Sequence, residues 1–132
     1  MKSEIYWVNG HWPGRLAIAP RPRSGDWLED EIKAWKSEGV DVVVSLLDDA
    51  EIEELGLADE PEVISRAGME FIAFPIRDRE VPDSRKSTEE LVRKLETALT
   101  EGRRVAVHCR AGIGRSAIIA ASILALSGMD VG

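Results

Sequence analysis

The stretch that decides the fold is Val105-Ala106-Val107-His108-Cys109-Arg110-Ala111-Gly112-Ile113-Gly114-Arg115-Ser116. Its first three residues are apolar and mostly β-branched, which predicts a buried strand. The two glycines indicate a turn, and residues 116–126, which are almost entirely apolar, predict a helix. A strand, a glycine-bearing loop and a helix are therefore expected in direct succession.

Working outward from this stretch, the chain alternates between strands and helices. Residues 42–47 and 71–76 are apolar without polar alternation, which is typical of strands covered on both faces. Residues 5–8 and 16–19 are shorter strand candidates, and the turn-rich segment between them predicts a hairpin. The parallel-type strands require helices on both sides of the sheet.

Helices are predicted at residues 26–38, within 48–58, from Asp59 or Glu60 to about residue 67, and at 87–101. The last of these begins with Ser87 and Glu90, whose spacing is that of a capping box. In a chain of 132 residues this pattern indicates one α/β domain, with a central, mostly parallel, twisted sheet flanked by helices.

Composition limits the partners of the protein. Its formal net charge is −7, which argues against nucleic acid, because such binding depends on lysine and arginine neutralising phosphates. The first residues lack the apolar core of a secretory signal, and the longest apolar stretch is far short of the roughly 20 residues that cross a bilayer. We expect a cytoplasmic protein that binds neither nucleic acid nor membrane.

Cys109 is the sole cysteine, and the chain has two histidines. An internal disulfide is therefore excluded, and no zinc-ligand spacing is present. We expect neither a metal nor another cofactor. Cys109 is then either a small buried hydrophobic residue or a chemical reagent.

The loop around Cys109 has the properties of an oxyanion site. Backbone N–H groups at a helix start point towards an anion, and the helix dipole favours negative charge there. The Gly-Lys pair of nucleotide-binding loops is absent from the sequence. Five residues separate Cys109 from Arg115, so that the turn can bring both side chains to one anion. The guanidinium would grip two oxygens while the sulfur, a thiolate at a helix N-terminus beside arginine, attacks phosphorus.

The pattern His-Cys-x5-Arg-Ser resembles the protein tyrosine phosphatase superfamily, and the order of elements is similar to its small dual-specificity members. The resemblance implies hydrolysis of phosphate monoesters through a cysteinyl-phosphate intermediate. It implies that His108 is structural, shaping the loop, and that the Ser116 hydroxyl helps to expel the sulfur. The phosphate would be bound by Arg110, Ala111, Gly112, Ile113, Gly114 and Arg115.

The same resemblance implies a general acid on a separate loop. Asp78 matches that position, directly after the strand predicted at residues 71–76. The family commonly has proline before the aspartate, where this chain has Arg77. Glu80 and Asp83 are therefore kept as alternative acids.

Several functions remain open at this level. A phosphoprotein is the expected substrate, with phosphotyrosine favoured and phosphoserine or phosphothreonine possible, because Ala111 and Ile113 stand where phosphoinositide-directed relatives often carry lysine. The alternatives are a phosphoprotein-binding module of the same fold without turnover and, with less support, the sulfur or arsenate chemistry of other cysteine-centred oxyanion sites. Tyrosine-only and dual specificity are not separated.

The last predicted helix is apolar nearly all round, which predicts cover on every side. Domains of this superfamily usually continue with further helices, so we expect a truncated domain in which this helix either leaves an exposed patch or is covered by a partner, for example through self-association. Five arginines are expected to rim the pocket, namely Arg21, Arg23, Arg77, Arg79 and Arg110. The four tryptophans, including Trp27 and Trp35, are assigned to the core or its edge.

Overall fold

The structure, a computed structural model, describes residues 5–8, 10, 12–76, 85–110 and 114–126. Five strands form one sheet in these residues, in the order β1-β2-β5-β3-β4. The strands are β1 (Tyr6–Val8), β2 (Arg15–Pro20), β3 (Val42–Ser45), β4 (Glu70–Ala73) and β5 (Arg104–Cys109). β1 and β2 pair antiparallel and the other pairs are parallel. This confirms the opening hairpin and the mostly parallel α/β sheet.

Helices cover both faces of this sheet. They are α1 (Leu28–Ser37), α2 (Asp49–Leu55), α3 (Glu60–Arg66), α4 (Arg85–Thr100) and α5 (Gly114–Leu126), with a short 3-10 turn at Gly25–Trp27 before α1. α2 ends at Gly56, whose φ of 67° is in the left-handed region that glycine adopts without strain.

The strands divide the core into two layers because their side chains alternate between faces. Val42 and Val44 of β3 pack in one cluster with α4 and α5. Val43, between them in sequence, packs in the other cluster with α1 and α3. This explains the unbroken apolar run of β3: all four of its residues are buried.

The strand predicted at residues 71–76 is shorter and less buried than expected. β4 ends at Ala73, opposite the end of β3, and it lies at the sheet edge, where only one neighbour covers it. The backbone nevertheless remains attached beyond Ala73, since the N–H groups of Phe74 and Ile76 donate to the carbonyls of Ser45 and Leu46. The segment that leads towards position 78 is thus fixed up to Ile76.

The capping box predicted at Ser87 is wrong. α4 begins at Arg85, so Ser87 and Glu90 both lie inside the helix. A capping box does occur at α2, where the Asp48 side chain accepts from the Glu51 N–H and the Glu51 side chain accepts from the Asp48 N–H. Each bond satisfies an N–H that would otherwise lack a partner at a helix start.

Within the described ranges, no helix is long and apolar enough to cross a membrane. α5 buries Ile119, Ala120 and Ile123 on one side. Its other side is exposed and consists largely of alanine, with Ile118 and Leu126 as the larger side chains there. In the part of the chain that the structure describes, this helix therefore leaves an exposed apolar patch, as the sequence predicted.

Candidate active site

Cys109 is the last residue of β5, which lies between β2 and β3. β3 and β4 come between β2 and β5 in the sequence, but both lie on the other side of β5 in the sheet. The strand order therefore reverses at β5. Ligands of open α/β sheets bind at the carboxyl ends of strands at such points. Pro20 of β2 is the register partner of Cys109, and Ser45 of β3 is the partner of His108.

Cys109 is buried, with 1% of its surface exposed, and it contributes to the apolar cluster under α4 and α5. Burial alone is equally compatible with a cysteine that only fills space. The chain after Cys109 leads into α5, a helix of thirteen residues that begins at Gly114. The first N–H groups of this helix and the positive end of its dipole therefore follow the cysteine loop directly.

Arg115, in the first turn of α5, is 4% exposed and is held by a carboxylate. Its Nη1 and Nη2 donate to the two Glu51 carboxylate oxygens at 2.7 and 2.8 Å. Nη1 also donates to the Ile76 carbonyl at 2.6 Å. This bidentate contact fixes the plane of the guanidinium, which is what recognition of a second planar or tetrahedral anion requires.

Glu51 was not identified by sequence reasoning. It is 5% exposed, and hydrogen bonds from Arg115 hold its pKa below the usual 4.5 against the opposing effect of burial. The spacing Asp48-x-x-Glu51 was a usable signal, because it is a capping-box pattern. That pattern predicts the helix, but it does not predict that the Glu51 carboxylate also reaches Arg115.

The same helix holds a second arginine of the loop. Glu54, one turn after Glu51, receives two hydrogen bonds from Arg110 at 2.8 and 2.9 Å. These bonds lower the pKa of Glu54. α2 therefore binds the loop near both of its ends, through Arg110 after the cysteine and Arg115 at the start of α5.

His108 is fully buried behind the loop. Its Nε2 lies 2.6 Å from Glu60 Oε2, and its ring is 5.9 Å from the Trp35 ring. Glu60, the first residue of α3, is only 1% exposed. Sequence reasoning assigned His108 a structural role but gave no indication of Glu60, because the contact joins residues 48 positions apart.

Ser116 follows Arg115 in α5 and is fully buried. Its Oγ has no hydrogen-bond partner among the described residues. A buried hydroxyl without a partner is unusual and calls for a physical reason. A ligand in the loop would provide one, because the hydroxyl can donate to it.

Several predicted site residues lie outside the described residues. These are Asp78, Ala111, Gly112 and Ile113, together with Arg77, Arg79, Glu80 and Asp83. Ile76, two residues before Asp78, is described, and its carbonyl bonds to Arg115. The structure also shows no group of three or more potential metal-ligating side chains in the part of the chain that it describes.

The arginines expected at the rim differ in their surroundings. Arg23 pairs with Glu31 at 2.5 Å and stacks over the Trp27 ring at 4.4 Å. Trp27 is 52% exposed and belongs to neither core cluster, so its assignment to the core or its edge was wrong; its ring instead contacts Arg23 at the surface. Arg21 directly follows the register partner of Cys109, and its buried Nε has no partner among the described residues.

Residues 18–129 match a family described as "Polymorphic toxin system, DSP-PTPase phosphatase", which is named Tc-R-P. The chain belongs to this DSP-PTPase family. The match includes every site residue discussed above. The domain is therefore a phosphatase domain of the dual-specificity and tyrosine phosphatase type, as the sequence pattern around Cys109 predicted.

Solved structures support the fold of this DSP-PTPase domain. The kinase associated phosphatase KAP, crystallised with its catalytic-site cysteine replaced by serine, has a TM-score of 0.88 at 21% identity, over 100% of this chain and 78% of that chain. The active form of Tk-PTP has a TM-score of 0.76 at 27% identity, over 98% of this chain and 78% of that chain.

A viral relative of the DSP-PTPase domain is the candidate tyrosine phosphatase 197R of Invertebrate iridescent virus 6. It is 37% identical over 57 residues, which are 41% of this chain. The matched segment spans 21% of the viral protein's length.

Proposed function

We propose that this protein hydrolyses phosphate monoesters of proteins through a cysteinyl-phosphate intermediate. The observation that carries the proposal is the buried Arg115, held flat by Glu51 in the first turn of the helix that follows the Cys109 loop. A guanidinium fixed in this way is suited to bind two phosphate oxygens while a sulfur approaches phosphorus.

In the first step, the Cys109 thiolate attacks phosphorus. A sulfur–phosphorus bond forms and the bond from phosphorus to the ester oxygen breaks. Asp78 donates a proton to the leaving oxygen, which departs as an alcohol or phenol. Arg115 and the N–H groups at the start of α5 stabilise the negative charge of the transition state.

In the second step, water attacks the phosphorus of the intermediate. Asp78, now ionised, accepts a proton from this water as a new oxygen–phosphorus bond forms. The sulfur–phosphorus bond breaks, phosphate is released and Cys109 returns to the thiolate. The buried Ser116 hydroxyl, which has no hydrogen-bond partner among the described residues, supports this step, because donation to the departing sulfur would stabilise its charge.

Asp78 is supported as the acid because it lies two residues after Ile76, whose backbone is bonded to Arg115. The Ile76 carbonyl is bonded to Arg115, and two residues of chain span at most about 7 Å. A carboxyl at position 78 is thus tethered close to the guanidinium that would bind the phosphate. Glu80 and Asp83 have a longer tether, which ranks them behind Asp78.

Phosphotyrosine is the proposed substrate, with phosphoserine and phosphothreonine as further substrates of a dual-specificity site. Ala111 and Ile113 supply no additional positive charge for a polyphosphorylated lipid headgroup. We place the protein in the cytoplasm, because a cysteine nucleophile must remain reduced to act.

The test is turnover of an aryl phosphate, with vanadate as a competing oxyanion. We expect hydrolysis by the unchanged protein, loss of turnover in Cys109→Ser, and a decrease in kcat of about 100-fold in Asp78→Ala. Ser116→Ala should slow the second step, and Ser122→Ala is its matched control, because the Ser122 hydroxyl lies further along α5 and donates to the Ile118 carbonyl of the same helix. A folded protein that binds phosphopeptide but shows no turnover between pH 5 and 8 would contradict the proposal and indicate a binding module.

A further inference from the structure

We propose that Glu60 is a positioning residue for Cys109 and acts through His108; this rests on the phosphatase chemistry proposed above. Glu60 starts α3 and His108 lies in β5, so the contact joins two separate elements. The Nε2–Oε2 distance is 2.6 Å, and the side chains are 0% and 2% exposed for His108 and Glu60.

The pair is costly to bury. Removing a carboxylate from water costs several kcal/mol unless a partner compensates, and two apolar side chains would fill the same space without that cost. Among the described residues, the hydrogen-bond partner of the Glu60 carboxylate is His108. Packing alone therefore does not account for a charged group at this position.

We assign the proton of this contact to Nε2 of His108, because an ionised carboxylate accepts hydrogen bonds and cannot donate them. The bond fixes the orientation of the ring and turns Nδ1 away from Glu60. Nδ1 is buried there and has no partner among the described residues. A carboxylate at this distance also stabilises positive charge on an imidazole. His108 is the residue next to the nucleophile.

Strand alternation places the side chains of His108 and Cys109 on opposite faces of the sheet. His108 faces the α1 side of the sheet, where it meets Trp35, whereas Cys109 belongs to the cluster under α4 and α5. His108 is the sequence neighbour of Cys109 and its ring contacts Glu60, so the imidazole is the link between the carboxylate and the nucleophile. Positive charge on that ring favours a thiolate, and loss of Glu60 removes the support for it.

Two charged pairs lie near the loop, and Arg21, which follows the register partner of Cys109, is a further charged group there. Described neighbours from other elements are the Glu51–Arg115 pair, which joins α2 to α5, and the Glu54–Arg110 pair on the loop itself. Neither pair contains His108 or Glu60, so a change at Glu60 leaves both in place. An effect of Glu60 on Cys109 should therefore pass through His108.

The experiment follows alkylation of Cys109 by iodoacetamide against pH. Because Cys109 is the sole cysteine, the rate reports on this thiol alone and needs no turnover. In Glu60→Gln, which keeps the size and an accepting oxygen but loses the charge, we expect the midpoint of the rate–pH curve to rise by about one pH unit. Glu62→Gln, an exposed change in the same helix, should leave the midpoint unchanged.

The route through His108 is tested in a His108→Gln background, where Glu60→Gln should produce no further shift. A folded Glu60→Gln protein with an unchanged midpoint, or an equal shift in the absence of His108, would overturn the proposal. If Glu60→Gln fails to fold, nitrogen-15 NMR of the unchanged protein decides. We expect a protonated Nε2 on His108 at pH 7, and an unprotonated Nε2 would overturn the assignment.

Failure of this proposal can be distinguished from failure of the proposed phosphatase reaction. A shift in alkylation without any aryl phosphate hydrolysis by the unchanged protein would support the role of Glu60 and contradict the phosphatase reaction. Hydrolysis with an unshifted midpoint in Glu60→Gln would do the opposite.

Discussion

At the level of one residue, Arg115 shows how folding alone orders a side chain of the proposed phosphate site. A long cationic side chain has many rotamers, and ordering it on binding would cost about 1 to 2 kcal/mol. Its bidentate contact with Glu51 and its bond to the Ile76 carbonyl order the side chain during folding, so this entropy is already lost before an anion binds. The same contacts tie Ile76, two residues before the proposed acid Asp78, to the proposed phosphate-binding side chain.

Replacement of Glu51 by glutamine should be most destabilising near neutral pH. The pKa of Glu51 is lowered in the folded state by Arg115, so its stabilising contribution is complete above the usual 4.5 and is lost as the pH falls through the lower folded value. We expect Glu51→Gln to cost roughly 2 kcal/mol at pH 7 and less at pH 3.5. Urea unfolding at both pH values measures the difference.

The control for this prediction is Glu54→Gln in the same helix. Glu54 is 60% exposed in its pair with Arg110, and exposed pairs contribute little to stability. A stability gap for Glu51→Gln that does not narrow in acid would contradict the account of the Glu51–Arg115 pair.

At the level of elements, local sequence patterns predicted a strand or helix correctly where the pattern does not depend on the position of the element in the fold. Apolar runs predicted β3 and β5, because full burial leaves the same signature wherever the strand lies in the sheet. The position of β4 at the edge was not predictable from its own residues. The pattern Ser87-x-x-Glu90 failed, since three-residue spacing also occurs inside helices, whereas Asp48-x-x-Glu51 does cap α2.

The exposed side of α5 carries the one assembly prediction made from the sequence, which stays a prediction. Ile118 and Leu126 are 39% and 41% exposed, beside a groove of about 450 Å³ that Val92 of α4 also lines. We expect concentration-dependent self-association in sedimentation experiments and its loss in Ile118→Glu. A monomer at every concentration would contradict it. Ala121→Glu, also exposed on α5, maps how far the surface extends.

For the molecule as a whole, most of the predictions came from one short segment of the sequence, residues 105–116. The strand, the loop and the helix around Cys109 predicted the fold class, the family and the residues Cys109 and Arg115. Glu51, Glu54 and Glu60 were missed because each contacts the loop from 48 or more positions away. Such contacts are created by the topology that places β5 between β2 and β3, and no local pattern encodes them.

The central claim is that Cys109 is a reactive thiolate inside an oxyanion site. The most direct measurement is its alkylation by iodoacetamide at pH 6.5, with and without vanadate, on the folded protein and with Cys109→Ser as the blank. We predict modification faster than that of an ordinary thiol, and saturable protection by vanadate that Arg115→Lys weakens. Slow modification that proceeds only with unfolding, and that vanadate does not affect, would show that Cys109 merely fills the core.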